Sequence, residues 1–146
     1  MNREADAVSF TNGGYMLDFR TPSLSDKKAI DFYLKRAETE GCGYSFGNLY
    51  LWRKAYDMTF CIKDGFLFIS STLGDSRAFA VPVGDGDLRH AMAEVCQTAK
   101  AMGVHPIFYA VTDRQKAAIE EACPGIFFFC DERDYYDYIY KTENLA

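Results

Sequence analysis

The run Val81-Pro82-Val83-Gly84-Asp85-Gly86-Asp87 constrains this chain most, because it carries an apolar strand through a glycine corner into a helix. Beyond it, Leu88, Met92, Val95, Ala99 and Met102 recur at steps of four, three, four and three residues, the spacing of one apolar helix face. Gly103 supplies the C-terminal stop. Ile107-Phe108-Tyr109-Ala110-Val111 follows as a continuous apolar run, the pattern of a strand covered on both faces. A strand, a helix and a buried strand in this order imply a crossover connection within one sheet.

The remaining segments fit around that unit. Residues 15–20 alternate as a first strand, ended by Pro22. Ser23, three residues before Asp26, makes an imperfect capping box for a helix whose apolar face is Ile30, Tyr33, Leu34 and Ala37, stopped by Gly41 and Gly43. Phe46, Leu49, Trp52 and Tyr56 suggest a second short helix over 46–56. Met58, Phe60 and Ile62 alternate with polar or small neighbours, Asp64-Gly65 supplies a positive-φ turn, and Phe66-Leu67-Phe68-Ile69 returns as a hairpin. A third strand of this meander is expected over 77–83. Thr112 or Asp113 can cap a helix through Ala118, Ile119 and Ala122, closed by Pro124-Gly125. Two last strands are expected at 126–130 and 136–140. The order predicts one α/β domain (α+β mixed) over 1–146, with a mixed, twisted sheet of about seven strands and helices on both faces.

Composition closes off several classes. An apolar content of 49% in 146 residues is enough for a substantial core, and the aromatic share of 16% suits a packed sheet or an aromatic-lined groove. The net charge of −5 comes with no run of Lys and Arg, which argues against DNA as a partner. No apolar stretch approaches the roughly 20 residues that cross a bilayer, and no signal-peptide core follows Met1. A soluble, cytoplasmic protein is expected. Five cysteines (Cys42, Cys61, Cys96, Cys123, Cys130) without CxxC spacing read as reduced, buried thiols. Two histidines, His90 and His105, give zinc little to work with, so no metal is expected.

The glycine corner is the one place where a phosphate could sit, on backbone N–H groups at a helix N-terminus. Gly84, Gly86 and Asp87 are the cofactor-binding candidates. Against that, Asp85 and Asp87 repel an anion and Pro82 removes a donor. The other reading is a tight strand-to-helix turn with Asp87 as the helix cap. Tyr109 and Tyr138 could act as acids in a cleft, although either phenol also suits a core with one satisfied hydroxyl. His90 and Cys96 lie about 240° apart around a helix and cannot pair locally. No catalytic residue is assigned. Tyr136, Tyr138 and Tyr140 share one strand face, either a docking surface or a face packed under a helix.

The order of elements resembles the Gcn5-related acetyltransferase superfamily. Ser45-Phe46-Gly47-Asn48-Leu49-Tyr50-Leu51-Trp52, Pro82-Val83-Gly84-Asp85-Gly86-Asp87 and Asp131-Glu132-Arg133-Asp134-Tyr135-Tyr136-Asp137-Tyr138-Ile139-Tyr140 resemble a bacterial family related to the C-terminal domain of phosphatidylglycerol lysyltransferase. Members of that family usually carry two acetyltransferase-like domains in tandem. The resemblance implies that this chain is the N-terminal one, part of an acyl- or aminoacyl-transferase and inactive alone. It also implies acetyl-coenzyme A or aminoacyl-tRNA as the donor, held in relatives by a loop of the form Arg/Gln-x-x-Gly-x-Gly. Here Val81 stands at the Arg/Gln position, so no cofactor is expected on this loop. The doublets Lys27-Lys28 and Arg53-Lys54, with Arg89 and Lys100, make no basic face for tRNA. The expected partner is a second such domain or a homodimer mate. The alternative is a non-catalytic scaffold or interaction domain that has lost coenzyme A binding.

Overall fold

Asp64 and Gly65 adopt φ of 48° and 81°, the left-handed pair that a two-residue hairpin turn demands. They join β1 (Thr59–Lys63) to β2 (Phe66–Leu73) with Lys63 opposite Phe66, which fixes the register of the whole antiparallel pair. The computed structural model describes residues 16–37, 41–131 and 133. In chain order the helices are α1 (Lys27–Leu34), α2 (Phe46–Leu51), α3 (Leu88–Ala101) and α4 (Asp113–Ala122). The later strands are β3 (Ser76–Phe79), β4 (Val83–Gly84) and β5 (Ile107–Phe108).

Among the described residues the sheet has five strands in the order β1-β2-β3-β5, with β4 also on β2. β3 and β4 are the expected third meander strand, broken once. Ser70 opposes Phe79, but Leu67 opposes Val83, so one extra residue is inserted between the two pairings. The insertion falls at Val81-Pro82, where a proline without an N–H interrupts the ladder at little cost. The chain then crosses through α3 and returns as β5, parallel to β3 with Ala78 opposite Ile107 and Phe79 opposite Phe108. Strands from the 77–83 and 107–111 regions therefore share one mixed sheet.

Helices cover both faces. On one, Ile30 and Leu34 of α1 and Phe46 and Leu49 of α2 pack on Phe60, Leu67, Ile69 and Ala80. On the other, Ala91, Val95 and Ala99 of α3 pack on Phe66, Phe68 and Phe79. A third cluster, Val81, Met92, Ile119 and Cys123, docks α4 against α3 and the bulge. α3 ends as its sequence predicts. Gly103 takes φ 73°, its N–H reaches the Lys100 carbonyl at 3.0 Å, and the Val104 N–H reaches that of Ala99 at 3.0 Å. Thr112 caps α4 through a reciprocal pair with Gln115: the Gln115 N–H donates to Thr112 Oγ1 at 3.2 Å, and the Thr112 N–H to Gln115 Oε1 at 2.9 Å.

Three expected elements differ. Residues 16–20 form no strand; Arg20 and Phe60 exchange backbone bonds of 3.0 and 2.9 Å as a single bridge. The Leu17 N–H goes instead to Thr98 Oγ1 on α3, at 3.1 Å, which removes it from any ladder. α2 stops at Leu51, because Trp52 and Tyr56 are exposed and lie against each other, and Asp57 at φ 43° turns the chain into β1. Residues 126–130 are a turn and irregular chain: Phe127 meets Phe108 edge-on at 5.5 Å, while Phe128 is 93% exposed. Their expected neighbour at 136–140, with Tyr136, Tyr138 and Tyr140, lies outside the described residues.

Candidate functional site

The glycine corner is built by packing. A methyl group at Gly84 would lie 2.1 Å from the Gly65 carbonyl oxygen and 2.8 Å from Phe66 Cα. One at Gly86 would lie 2.9 Å from Cε2 of the Phe66 ring. Gly84 is small because the β1–β2 turn presses on it, and Gly86 because of the Phe66 ring and its own φ of 157°, which accounts for the two glycines without any ligand. Asp87 caps α3, accepting the His90 N–H at 3.2 Å and so occupying one of the free donors of the helix start. Asp85 faces Arg36 Nε at 3.5 Å, and that guanidinium stacks on Phe32 with 3.7 Å to the ring centroid. The corner thus presents two carboxylates at a helix N-terminus.

A different polar site lies where β3 and β5 part. Their pairing ends after Phe108, with the Tyr109 N–H donating to the Phe79 carbonyl at 3.1 Å. β4 stays with β2 and Ala110, at φ 52°, turns the chain towards α4. Two phenols lie at this point, partly buried against the core beneath α1 and α2. Tyr44 comes from the 3-10 turn Cys42–Tyr44; its Oη accepts from Gln115 Nε2 at 2.9 Å and lies against the Val81 backbone. Tyr109 pairs its hydroxyl with Ser71 on β2. Burial pushes both phenols above the usual tyrosine range, with the polar partners only partly offsetting it. Such groups stay neutral near pH 7, so they can donate a proton or a hydrogen bond and cannot serve as bases.

The sequence candidates are therefore divided. Gly84, Gly86 and Asp87 sit together at the α3 start, and Tyr109 stands where the β3–β5 pairing ends. Tyr138 lies outside the described residues. His90 is exposed, and Cys96 is half-buried beside Cys123; burial pushes the Cys96 thiol up to about 11 and the Cys61 and Cys123 thiols in the same direction. These three thiols are held protonated. Cys123 is buried, Cys61 and Cys96 are half-buried and Cys130 is exposed, so the expectation of uniformly buried thiols is corrected. Tyr44, Gln115 and Ser71 were not singled out from the sequence. Gln115 carried a signal, three residues after Thr112 in a capping box, but its side-chain amide also reaches a phenol 71 residues away.

A mixed five-stranded sheet with helices on both faces and a β–α–β crossover, with two phenols at the end of the crossover pairing, defines the class. Its residues 34–146 match the sequence profile of the phosphatidylglycerol lysyltransferase C-terminal family, and the chain belongs to that family. Among solved structures, it is similar to a conserved protein of unknown function from Bacteroides thetaiotaomicron VPI-5482, at 32% identity and a TM-score of 0.83 over 90% of this chain. The chain spans 44% of the length of that protein. No curated protein matches it. Among the described residues, no helix is long and apolar enough to cross a membrane.

Proposed function

We propose that this chain is an acetyltransferase-like domain, the N-terminal half of a cytoplasmic acyl- or aminoacyl-transferase built from two such domains, and inactive alone. The observation that carries this reading is the closed corner within a family-matched crossover. Gly84 is packed under the hairpin turn and Gly86 against the Phe66 ring, and Asp85 and Asp87 stand where an anionic donor would need cations. The donor's phosphates then draw on a second domain, a reading supported by the 44% share of the Bacteroides chain that this one spans. The family name carries lysyl transfer onto phosphatidylglycerol, and the aminoacyl branch of the reading takes its donor class from there. Tyr44 and Tyr109, kept neutral by burial, suit donation to a leaving group brought to the end of the β3–β5 pairing.

A non-catalytic scaffold is the competing reading, favoured by phenol hydroxyls already occupied by Gln115 and Ser71. Thermal unfolding with millimolar acetyl-coenzyme A tests the corner. No shift is expected. Ligand at a hundredfold its Kd would add about 2.7 kcal/mol, about 5–10 °C for a domain of this size, and that result would overturn the closed-corner argument. Transfer activity from the protein joined to its second domain, where the reading frame encodes one, supports the enzyme; its absence there supports the scaffold.

A further inference from the structure

Where α3 passes over the β1–β2 turn, Asp64, His90 and Glu94 bring three ligand-capable atoms within 4.8 Å of one another. His90 and Glu94 are one helical turn apart on α3, so both project to the same side. Asp64 reaches them from the hairpin turn, where its φ of 48° is fixed by the two-residue connection. Glu94 is the unusual member. Its side chain is 4% exposed, and its Oε2 atom is buried with no hydrogen-bond partner. Lys63 pairs with Oε1, and the same ammonium lies 3.9 Å from Asp64 Oδ2. His90 Nε2 stands 4.0 Å from Oε1.

A lysine ammonium therefore lies between the two carboxylates of this cluster. It satisfies one oxygen of a buried carboxylate and leaves the other bare, which is a costly arrangement for a group out of water. A metal ion held bidentately takes both oxygens. We infer that Asp64, His90 and Glu94 form a site for a divalent transition-metal ion such as Zn²⁺, with Lys63 as the internal cation that the metal displaces. Counting the bidentate Glu94 as one vertex, one imidazole and two carboxylates leave a fourth pseudo-tetrahedral position to water, five donor atoms in all, a set that zinc accepts. At metal–ligand distances near 2.0–2.2 Å, the donor atoms of a tetrahedral ion stand about 3.3–3.6 Å apart. The cluster thus contracts by about 1 Å on binding. His90 and Asp64 have side chains 61% and 63% exposed and are free to swing, and Lys63, at 27%, lies near enough to the rim to retract. The bound ion clips the hairpin turn to the first turns of α3, and the site stands independently of the acyl-transfer reading.

The test is a Co²⁺ titration of the tag-free, metal-stripped chain, read by visible absorption, together with thermal unfolding in Zn²⁺. Saturable d–d bands and a raised Tm are expected. His90→Ala and Asp64→Ala remove exposed ligands without touching the core, and each should weaken binding by about tenfold or more. Lys63→Met should tighten it. Should Lys63→Met fail to fold around an uncompensated Glu94, the two exposed variants still decide. No saturable binding by the native chain at 1 mM metal, on the order of the weakest specific sites, overturns the site. Binding left undiminished by His90→Ala overturns it equally.

Discussion

Substituting Gly84 by alanine separates a corner made for packing from one made for a ligand. The added Cβ falls 2.1 Å from the Gly65 carbonyl oxygen, 2.8 Å from Phe66 Cα and 3.0 Å from the Gly65 carbonyl carbon. All three atoms are backbone, so no side-chain rotation relieves the clash. Either β4 leaves β2, losing the Phe66–Gly84 and Leu67–Val83 pairings, or the hairpin turn shifts away from its left-handed geometry. Inserting one carbon into a well-packed site costs about 1–3 kcal/mol, and a backbone clash belongs at the top of that range. For a domain near 150 residues, about 3 kcal/mol corresponds to a fall in Tm of about 6–12 °C. Gly86→Ala is a second destabilising variant with a different cause: the Phe66 ring at 2.9 Å can tilt, but φ 157° disfavours any side chain, so about 1–3 kcal/mol is expected. Urea denaturation followed by far-UV circular dichroism gives both values from the shift in midpoint at constant slope. A Gly84→Ala loss under about 0.5 kcal/mol, within the range of an ordinary surface change, would refute the packing account of this glycine.

Arg20 holds the Asp26 carboxyl well below the usual carboxylate range through bonds of 2.9 and 2.5 Å, with help from Ser23. A depressed folded-state pKa stabilises above the unfolded value and ceases to as acid protonates the folded carboxylate. Arg20→Gln should therefore lower Tm at neutral pH, and the gap from the native chain should close as pH falls below about 4; a gap constant from pH 7 to the acid limit would contradict this. Gln115→Leu removes the reciprocal cap of α4 and the donor to Tyr44 together, for an expected loss of about 1–2 kcal/mol by chemical denaturation. An unchanged midpoint would mean that neither bond contributes.

The parts of the fold legible in the sequence are those whose cause is local. Asp64-Gly65 can do little but turn, since one residue tolerates and the other prefers positive φ. The α3 face and the Gly103 stop, and the Thr112 cap of α4, likewise rest on neighbours a turn away. What escaped has a distant cause. The Leu17 N–H is claimed by Thr98, 81 positions on, and that contact undoes the expected strand before Pro22. The Val81-Pro82 bulge exists only relative to β2. Trp52 and Tyr56 continue a helical period that tertiary packing leaves unused. Tyr109 is a candidate from the sequence, but its companions Tyr44 and Gln115 come from other segments. Glu94, a charged letter on an amphipathic helix, gave no sign that it would be buried beside Lys63.

The bridge between Arg20 and Phe60 has a consequence for self-association. Among the described residues β1 is an outer strand, and an unprotected edge offers its amides and carbonyls as a template for another chain. Here a cationic residue takes the central position, its guanidinium lies over the Phe60 ring at 4.4 Å, and Pro22 follows two residues later. Neither residue favours continuing a ladder, so the segment shields that edge without extending it.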